Sequence, residues 1–437
     1  MFPHRLDPFA TFRVAEQNDC FGATNGHSWV HFDSRSRARP SALGLGPTLS
    51  ESEARVTSKD LLASASETPA PRGLASLVRP EWFFLVSTAS VAAFALFEDR
   101  LFSRLDNPLI LTAILLWLFG VVLWSSLSVV RHAESLARRL GEPYGTLLLT
   151  LTITSIEVVA ISAVVRHGGP NPTLMRDTLL ALIMIIMNGM VGVTLLIGGV
   201  KHREQTFNLQ GANAYLSVLL PLATFALIMP DYTQTTPGPI YSVAQQFVLV
   251  IVSIALYLIF LVLQTGRYHG YFEDADHTAA AEAHGAGAPV WFSTVMLAAY
   301  MAAIVYLVEQ FGPPIDYLLE TLQAPAPLGG ILIALLVATP ESIGAVKAAL
   351  DNQMQRAVNI FLGSVLATIG LTIPSVLVIN HLIERPTILG LEHTDFALLI
   401  LTLALSMITF TSGRTNMLQG VVHLLLFAAY ILLIFQA

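Results

Sequence analysis

Two glutamates, Glu157 and Glu341, lie inside long apolar stretches and are the residues whose type and position most clearly indicate chemistry. An ionised carboxylate at the centre of a bilayer costs roughly 2.5–3.5 kcal/mol on insertion scales, so acidic residues in membrane spans usually mark ion or proton pathways. A cation bound between two such carboxyl groups would neutralise them, and so would protons. The pair therefore predicts a site where a metal cation and protons compete.

The two glutamates occupy the same place in two similar segments, which indicates an internal repeat. The segments are GEPYGTLLLTLTITSIEVVAIS, residues 141–162, and PAPLGGILIALLVATPESIGAV, residues 325–346. Aligned without a gap, they match at Pro143/Pro327, Gly145/Gly329, Leu148/Leu332, Leu151/Leu335, Ser155/Thr339 and Glu157/Glu341. A polar turn and an arginine, Arg176 or Arg356, follow each segment. Transporters built from inverted repeats bind their substrate where the repeats meet.

Hydroxyl and amide side chains near the glutamates are candidates for further oxygen ligands. Ca²⁺ takes about 6–8 oxygens, more than two carboxylates supply. The supporting candidates are Thr154, Ser155 and Thr339 close to the glutamates, and Asn188, Asn359, Ser364 and Thr368 in the spans that follow. Pro340 is expected to kink its helix and free a carbonyl for the ion, because proline lacks an N–H. The simpler alternative for each hydroxyl is a bond to its own helix or packing between helices.

The composition indicates a polytopic helical membrane protein. Of the 437 residues, 54% are hydrophobic and 12% are charged, against about 25% charged in soluble proteins. Apolar stretches that approach the ~20 residues needed to cross a bilayer occur near 82–98, 109–130, 144–166, 177–199, 213–229, 242–264, 291–311, 327–349, 357–380, 396–411 and 417–435. A β-barrel is excluded because these runs are continuous rather than alternating. We expect an all-α fold of about 11 transmembrane helices, with two inverted five-helix repeats and one extra N-terminal helix.

The segments between and before the spans suggest the domain organisation. Residues 1–78 are polar and predict a disordered cytoplasmic extension, or translated sequence upstream of the true start. The extra helix is expected within 79–108, the first repeat within 109–266, an acidic cytoplasmic linker at 267–290 and the second repeat within 291–437. Basic residues are about twice as frequent in the loops on the N-terminal side, which predicts a cytoplasmic N-terminus and a periplasmic C-terminus.

Four runs of the sequence resemble the bacterial Cha-type sodium-calcium/proton antiporters of the calcium/cation antiporter superfamily. They are GEPYGTLLLTLTITSIEVVAIS, NPTLMRDTLLALIMI, LDNQMQRAVNIFLGSVLATIGLTIPSV and FTSGRTNMLQGVVHLLLFAAY. The resemblance extends from Trp82 to the C-terminus. It implies two inverted five-helix halves in a bacterial inner membrane, and it identifies Glu157 and Glu341 as the central carboxylates. Many members carry Gly-Asn before each glutamate, where this chain has Ile153-Thr154 and Val337-Ala338, so the ion preference does not carry over.

The sequence therefore predicts a secondary transporter that exchanges a cation for protons by alternating access. Ca²⁺ is the first candidate because two acids balance its charge, and Na⁺ or K⁺ would share the site with one proton. A sodium-coupled exchanger or a cation channel is the alternative, although no filter-like loop is evident. An enzyme is not expected, because cofactor motifs and nucleophile–base pairs are missing. The expected partners are the lipid bilayer, inorganic cations and protons, with no cofactor and no nucleic acid; no oligomeric state is specified.

Overall fold

The computed structural model describes residues 81–141, 144–167, 172–273, 289–325, 327–384 and 387–435. The predicted extension at 1–78 and most of the predicted acidic linker, residues 274–288, lie outside the described residues. The described residues form eleven long helices: α1 Trp82–Phe102, α2 Pro108–Leu140, α3 Tyr144–His167, α4 Leu174–His202, α5 Leu209–Tyr232, α6 Val243–Thr265, α7 Val290–Thr321, α8 Pro327–Leu350, α9 Met354–Leu382, α10 His393–Phe410 and α11 Met417–Ile434.

The eleven predicted spans are confirmed. Ten of the helices are long and apolar enough to cross a membrane, and α3 has 24 residues with an apolar stretch at Leu147–Ala163. Two short predicted spans, 213–229 and 396–411, correspond to α5 and α10. Helices α2 and α7 are longer than predicted, because their ends are polar or contain prolines and fall outside the apolar runs. The chain is a polytopic α-helical membrane protein.

Packing between the helices follows the inverted repeat, in which α2–α6 correspond to α7–α11. The first helices of the two halves, α2 and α7, pack against each other. The second helix of each half packs against the third helix of the other, α3 against α9 and α8 against α4. In the same way, α6 of the first half packs on α9 of the second half, and α11 of the second half packs on α4 of the first. The second and third helices of both halves therefore form the centre of the molecule.

Close backbone contacts hold α4 and α8 together at the centre. Gly330 of α8 lies over Thr178 of α4, and a Cβ built on this glycine would be 2.9 Å from the Thr178 backbone. Any side chain at Gly330 would therefore push the two helices apart. In the same way, a Cβ on Gly420 of α11 would be 2.6 Å from the Leu196 amide nitrogen of α4. Glycines thus allow α4 to contact both neighbours at short distance.

Several spans contain a short π-helical segment instead of a regular α-helix throughout. Helix α4 contains one at Ile185–Met190, and α9 contains one at Thr368–Thr372. The two segments lie at corresponding positions of the two repeats. Asn188 follows Arg176 by the same number of residues as Thr368 follows Arg356. π-Bulges are frequent at functional sites, since the extra residue rotates the side chains that follow it.

Successive helices cross in alternating directions, which gives the molecule two sides. Side A is where the even-numbered helices end, and side B is where the odd-numbered helices end. On side A, strand β1 (Glu204–Thr206) pairs antiparallel with β2 (Arg414–Asn416). The Leu350 carbonyl at the end of α8 accepts hydrogen bonds from Lys201 Nζ at 2.7 Å and pairs with His202 Nε2 at 3.0 Å. These contacts fix the end of the helix that carries Glu341.

Candidate functional site

Glu157 and Glu341 lie at the middle of their helices and face the same region. Glu157 is in the central part of α3 and Glu341 is in the central part of α8, and both helices have 24 residues. The Glu157 side chain is only 3% exposed. The two carboxyl groups are close enough to repel each other when both are ionised. The structure thus brings the two predicted carboxyl groups together at the depth where a charge is least favourable.

A cavity of about 360 Å³ connects these carboxyl groups to side A. Its lining comes from the side A halves of α2, α3, α5, α6, α8 and α9. Exposed Arg356 and partly exposed Glu134 contribute to the lining near the helix ends, and Glu157 and Glu341 contribute near the middle. The remaining polar lining residues are Ser126, Thr150, Thr154, Tyr215, Tyr257, Gln264, Asn359 and Ser364. An ion entering from side A would therefore meet the two glutamates at the inner end of the cavity.

The Glu341 carboxyl group has a hydrogen-bond donor in the described structure. Ser364 of α9 donates to Glu341 Oε2. Asn359 also lines the cavity, one and a half turns nearer to side A, but its amide donates to the Phe272 carbonyl at 2.7 Å and accepts from Gln355 at 2.9 Å. Ser364 is thus placed to act on the carboxyl group directly, whereas Asn359 anchors the chain that follows α6.

The surroundings of Glu157 differ, because several oxygens there have no hydrogen-bond partner. Glu157 Oε1 is buried and unpaired among the described residues, and so are the hydroxyls of Thr154 and Thr372. Thr154 lies one turn before Glu157 on α3, and Thr368 and Thr372 of α9 face the Glu157 carboxyl group. Buried polar groups are nearly always paired, so the unpaired Glu157 and Thr154 oxygens, which line the cavity, are candidates to contact a bound ion or water.

Four of the predicted supporting residues, Ser155, Thr339, Asn188 and Thr368, lie outside the cavity lining. The Ser155 side chain is exposed and donates to the Leu151 carbonyl at 2.6 Å. Thr339 donates to the carbonyl four residues before it, at 2.5 Å. Asn188 is fully buried but donates to Thr402 of α10 at 2.8 Å. These side chains make the local bonds that were the simpler alternative for hydroxyls, or they join helices away from the cavity.

Asn188 belongs to a second polar network, among α4, α10 and α11. Its side-chain oxygen lies 3.2 Å from Nδ1 of His423, and the other ring nitrogen of His423 lies 3.0 Å from the Thr409 hydroxyl. All three residues are buried. This network gives both ring nitrogens of His423 a partner, and it ties the last two helices to α4.

Pro340 and Thr368 complete the placement of the predicted residues. Pro340 lines the cavity next to Glu341, inside a helix that the structure assigns without a break from Pro327 to Leu350. The Thr368 hydroxyl bonds to the Ser364 carbonyl at 3.1 Å. Thr372 was missed by the sequence reasoning, although its spacing of four residues from Thr368 places both on one face of a helix.

On the opposite side of the site, contacts between the two halves surround buried Arg176. Arg176, only 5% exposed, begins α4 on side B and bonds to Asp177 at 2.8 Å, to the Gly390 carbonyl at 3.0 Å and to Glu392 at 3.1 Å. Asp231 at the end of α5 accepts from a backbone N–H of the same loop at 3.0 Å. The connection between α9 and α10 is therefore held against the first half on side B.

The donor set gives no indication of a permanently bound metal. Among the described residues, no group of three or more His, Cys, Asp and Glu side chains is arranged to hold a metal ion. Two carboxyl groups at the inner end of a cavity, between two repeats, are an arrangement typical of membrane transporters.

The comparison with known proteins identifies the family. The sequence profile of the family described as sodium/calcium exchanger protein matches residues 110–266 and 292–436. The chain belongs to this family, which makes it a transporter rather than an enzyme and confirms the resemblance found in the sequence.

Individual relatives agree with this assignment. The sodium-potassium/proton antiporter ChaA of Escherichia coli (strain K12) is 40% identical over 337 residues, which are 75% of this chain and 90% of the relative. The Ca(2+)/H(+) antiporter ChaA of Bacillus subtilis (strain 168) is 23% identical over 311 residues, which are 69% of this chain and 85% of the relative. The structure of native YfkE is similar in fold, with a TM-score of 0.63 and 18% identity over 81% of this chain and 100% of that chain.

Proposed function

We propose that this chain is a secondary cation/proton antiporter, in which Glu157 and Glu341 bind the cation and the protons alternately. The observation that carries the proposal is the proximity of these two carboxyl groups at the inner end of a cavity that reaches side A. Both relatives named above are described as proton antiporters.

Competition for the same oxygens would couple the two fluxes. Two ionised carboxylates at mid-membrane are unfavourable by roughly 2.5–3.5 kcal/mol each on insertion scales. A bound cation or bound protons remove this cost. The empty site, with both carboxylates ionised, retains it. Only loaded forms would then change their access from one side to the other, so each cation carried one way is exchanged for protons carried the other way.

The charge of the site restricts the cargo to two classes. Ca²⁺ would balance both carboxylates, as the name of the 23% identical relative suggests. Na⁺ or K⁺ would balance one carboxylate while the other holds a proton, as the name of the 40% identical relative suggests. We propose an inorganic cation of one of these classes as the cargo, and no cofactor is required.

The described structure fits a conformation open to side A. We assign side A to the cytoplasm of a bacterial inner membrane, because the loops there carry most of the basic residues. This assignment gives a cytoplasmic N-terminus and a periplasmic C-terminus. In the proposed cycle the repeats within 109–266 and 291–437 move relative to each other, the linker at 267–290 joins them, and the helix within 79–108 stands outside the repeat.

Proton movement in inside-out membrane vesicles tests the proposal. The vesicles are acidified internally and followed with a pH-sensitive dye while Ca²⁺, Na⁺ and K⁺ are added in turn. The proposed antiporter dissipates the pH gradient when its cation is added, and vesicles lacking the protein do not respond. A cation flux that needs no counterflow of protons would instead support a channel or a sodium-coupled exchanger.

A further inference from the structure

We propose that Glu134 of α2 and Arg356 of α9 form a gate on side A, an ion pair that closes the mouth of the cavity when access changes to side B. The inference rests on the proposed function, because only a transporter that changes its access needs to close side A. Both residues line the cavity near its side A end. They belong to different walls, since α2 packs mainly on α3 and α7, whereas α9 packs on α5, α6 and α8.

The first argument is that the two repeats place a matched arginine in opposite environments. Arg176, in the first turn of α4 on side B, is 5% exposed and bonds to Asp177 and Glu392. Arg356, in the first turn of α9 at the mouth of the cavity, is exposed. A change of access in an inverted-repeat transporter exchanges the environments of the two halves. Arg356 should therefore become buried when side A closes, and a buried arginine needs a partner of opposite charge.

The second argument is that this partner must come from outside the matched positions. The residue after Arg356 is Ala357, where the other repeat has Asp177. The residue that caps the start of α5 is Asn208, where α10 has Glu392. The two carboxylates that hold the side B arginine thus have neutral counterparts on side A. Another element has to supply the carboxylate there.

The third argument is that Glu134 is suitably placed and weakly held. Three acidic residues line the cavity, of which Glu157 and Glu341 lie at the inner end and Glu134 lies near side A. The Glu134 side chain is 41% exposed and lies 4.0 Å from Arg138 of the same helix. Exposed pairs of this kind are weak. Arg138 would therefore not prevent Glu134 from pairing with Arg356.

Opposite charges at the mouth suit a gate that opens and closes repeatedly. While the mouth is open, water and salt screen the attraction between the two side chains. As the walls approach, water leaves and the attraction strengthens, because the effective dielectric constant falls. The hydrogen bond that Arg356 donates to Gln353 is long, at 3.5 Å. Closing the gate therefore breaks no strong contact of either residue.

Charge reversal tests the gate in proteoliposomes. Glu134→Arg and Arg356→Glu each place like charges across the closing mouth, so we expect the exchange rate at saturating cation to fall by roughly fivefold. The double reversal restores the attraction and should recover most of the rate. The matched control is Asp351→Arg, since Asp351 is an exposed side A carboxylate outside the cavity lining. Combined with Arg356→Glu, it should not restore exchange.

A disulfide tests closure separately from transport. The chain has a single cysteine, Cys20, so Cys20→Ser provides the background for Glu134→Cys together with Arg356→Cys. A disulfide requires Cα atoms within about 7 Å of each other, so oxidation of the purified full-length protein should join the pair once the mouth closes. Arg138→Cys with Arg356→Cys is the control pair, because Arg138 lies outside the cavity lining.

We expect the Glu134 and Arg356 positions to crosslink much faster than the control pair, with exchange lost on oxidation and regained on reduction. Crosslinking no faster than in the control, or a double reversal as slow as the single reversals, would overturn the gate. Failure of the proposed function looks different, since the disulfide would then still form in the purified protein, while the wild type would move no protons in vesicles.

Discussion

At the scale of single residues, the site consists of two carboxyl groups in unequal surroundings. Ser364 donates to an oxygen of Glu341, whereas Oε1 of Glu157 is buried and has no hydrogen-bond partner among the described residues. The sequence repeat relates the two glutamates, but the residues around them have diverged. The asymmetry predicts that the two carboxyl groups contribute differently to binding, even though we propose that exchange needs both.

Replacing either glutamate with glutamine should abolish exchange. Glu157→Gln and Glu341→Gln each keep the shape and an oxygen atom, but the amide can neither ionise nor release a proton at physiological pH. We expect cation-dependent proton movement in vesicles to fall to the background of protein-free membranes. The proteins should remain folded, as gel filtration in detergent would show.

Ser155→Ala serves as the matched control for this prediction, because Ser155 lies next to Glu157 in sequence but its side chain is exposed and outside the cavity lining. It should retain wild-type exchange. Wild-type activity in either glutamine variant would remove that glutamate from the proposed site.

The two glutamates could be identified from the sequence, but the sequence did not show which nearby hydroxyl side chains border the cavity. The paired segments identify Glu157 and Glu341, since a matched acid within two apolar runs is rare. Ser155 and Thr154 look equally close to Glu157 in sequence. On a helix, a residue two positions away points to a different face, whereas one three positions away shares the face. Which face borders the cavity depends on the packing of α9, which sequence periodicity alone does not show.

At the scale of helices, the predictable part is the number of spans and the unpredictable part is their internal irregularity. Continuous apolar runs identify all eleven helices, because the bilayer requires about 20 apolar residues for each crossing. The π-helical segments in α4 and α9 leave no mark in hydropathy, although the segment in α9 carries Thr368 and Thr372, which lie next to Glu157. Pro340 illustrates the same difficulty, since it lies inside a helix that continues on both sides.

Arg176 is expected to hold side B closed through its contacts between the two halves. Replacing Arg176 with Gln would leave the buried Asp177 carboxyl group without its ionic partner, which destabilises proteins by about 3–5 kcal/mol when a buried pair is broken. We expect a lower free energy of unfolding in detergent for this variant, measured by denaturant titration.

Arg138→Gln is the control for the arginine prediction, because Arg138 is 69% exposed and lies 4.0 Å from Glu134. Exposed pairs of this kind contribute about 0–1 kcal/mol, so this variant should unfold as the wild type does. Equal stability of the two variants would show that the Arg176 contacts do not hold the halves together.

At the scale of the whole molecule, neither the family profile nor the described helices cover the first part of the chain. The family profile begins at residue 110, and the described helices begin with α1 at Trp82. Helix α1 is nevertheless well attached, because Glu81 next to it accepts two hydrogen bonds from Arg131 of α2, at 2.9 and 2.8 Å, and one from Tyr300 of α7 at 3.2 Å.

Deleting residues 1–75 should therefore leave exchange intact, since the deletion ends before Glu81 and its partners. Cation-dependent proton movement per amount of inserted protein is the measurement, with Glu81→Ala as a second variant that should loosen α1. An inactive but folded and inserted truncation would show that the N-terminal segment takes part in transport.

The pH dependence of the cation affinity tests the central claim most directly, because the account requires cation and protons to compete for the same two carboxyl groups. The cation concentration for half-maximal exchange is measured in proteoliposomes at several pH values on the side where the cation is added. The account predicts that this concentration rises by up to about tenfold per pH unit of acidification for each proton displaced, while the maximal rate at saturating cation stays constant. A half-maximal concentration independent of pH would contradict a shared site.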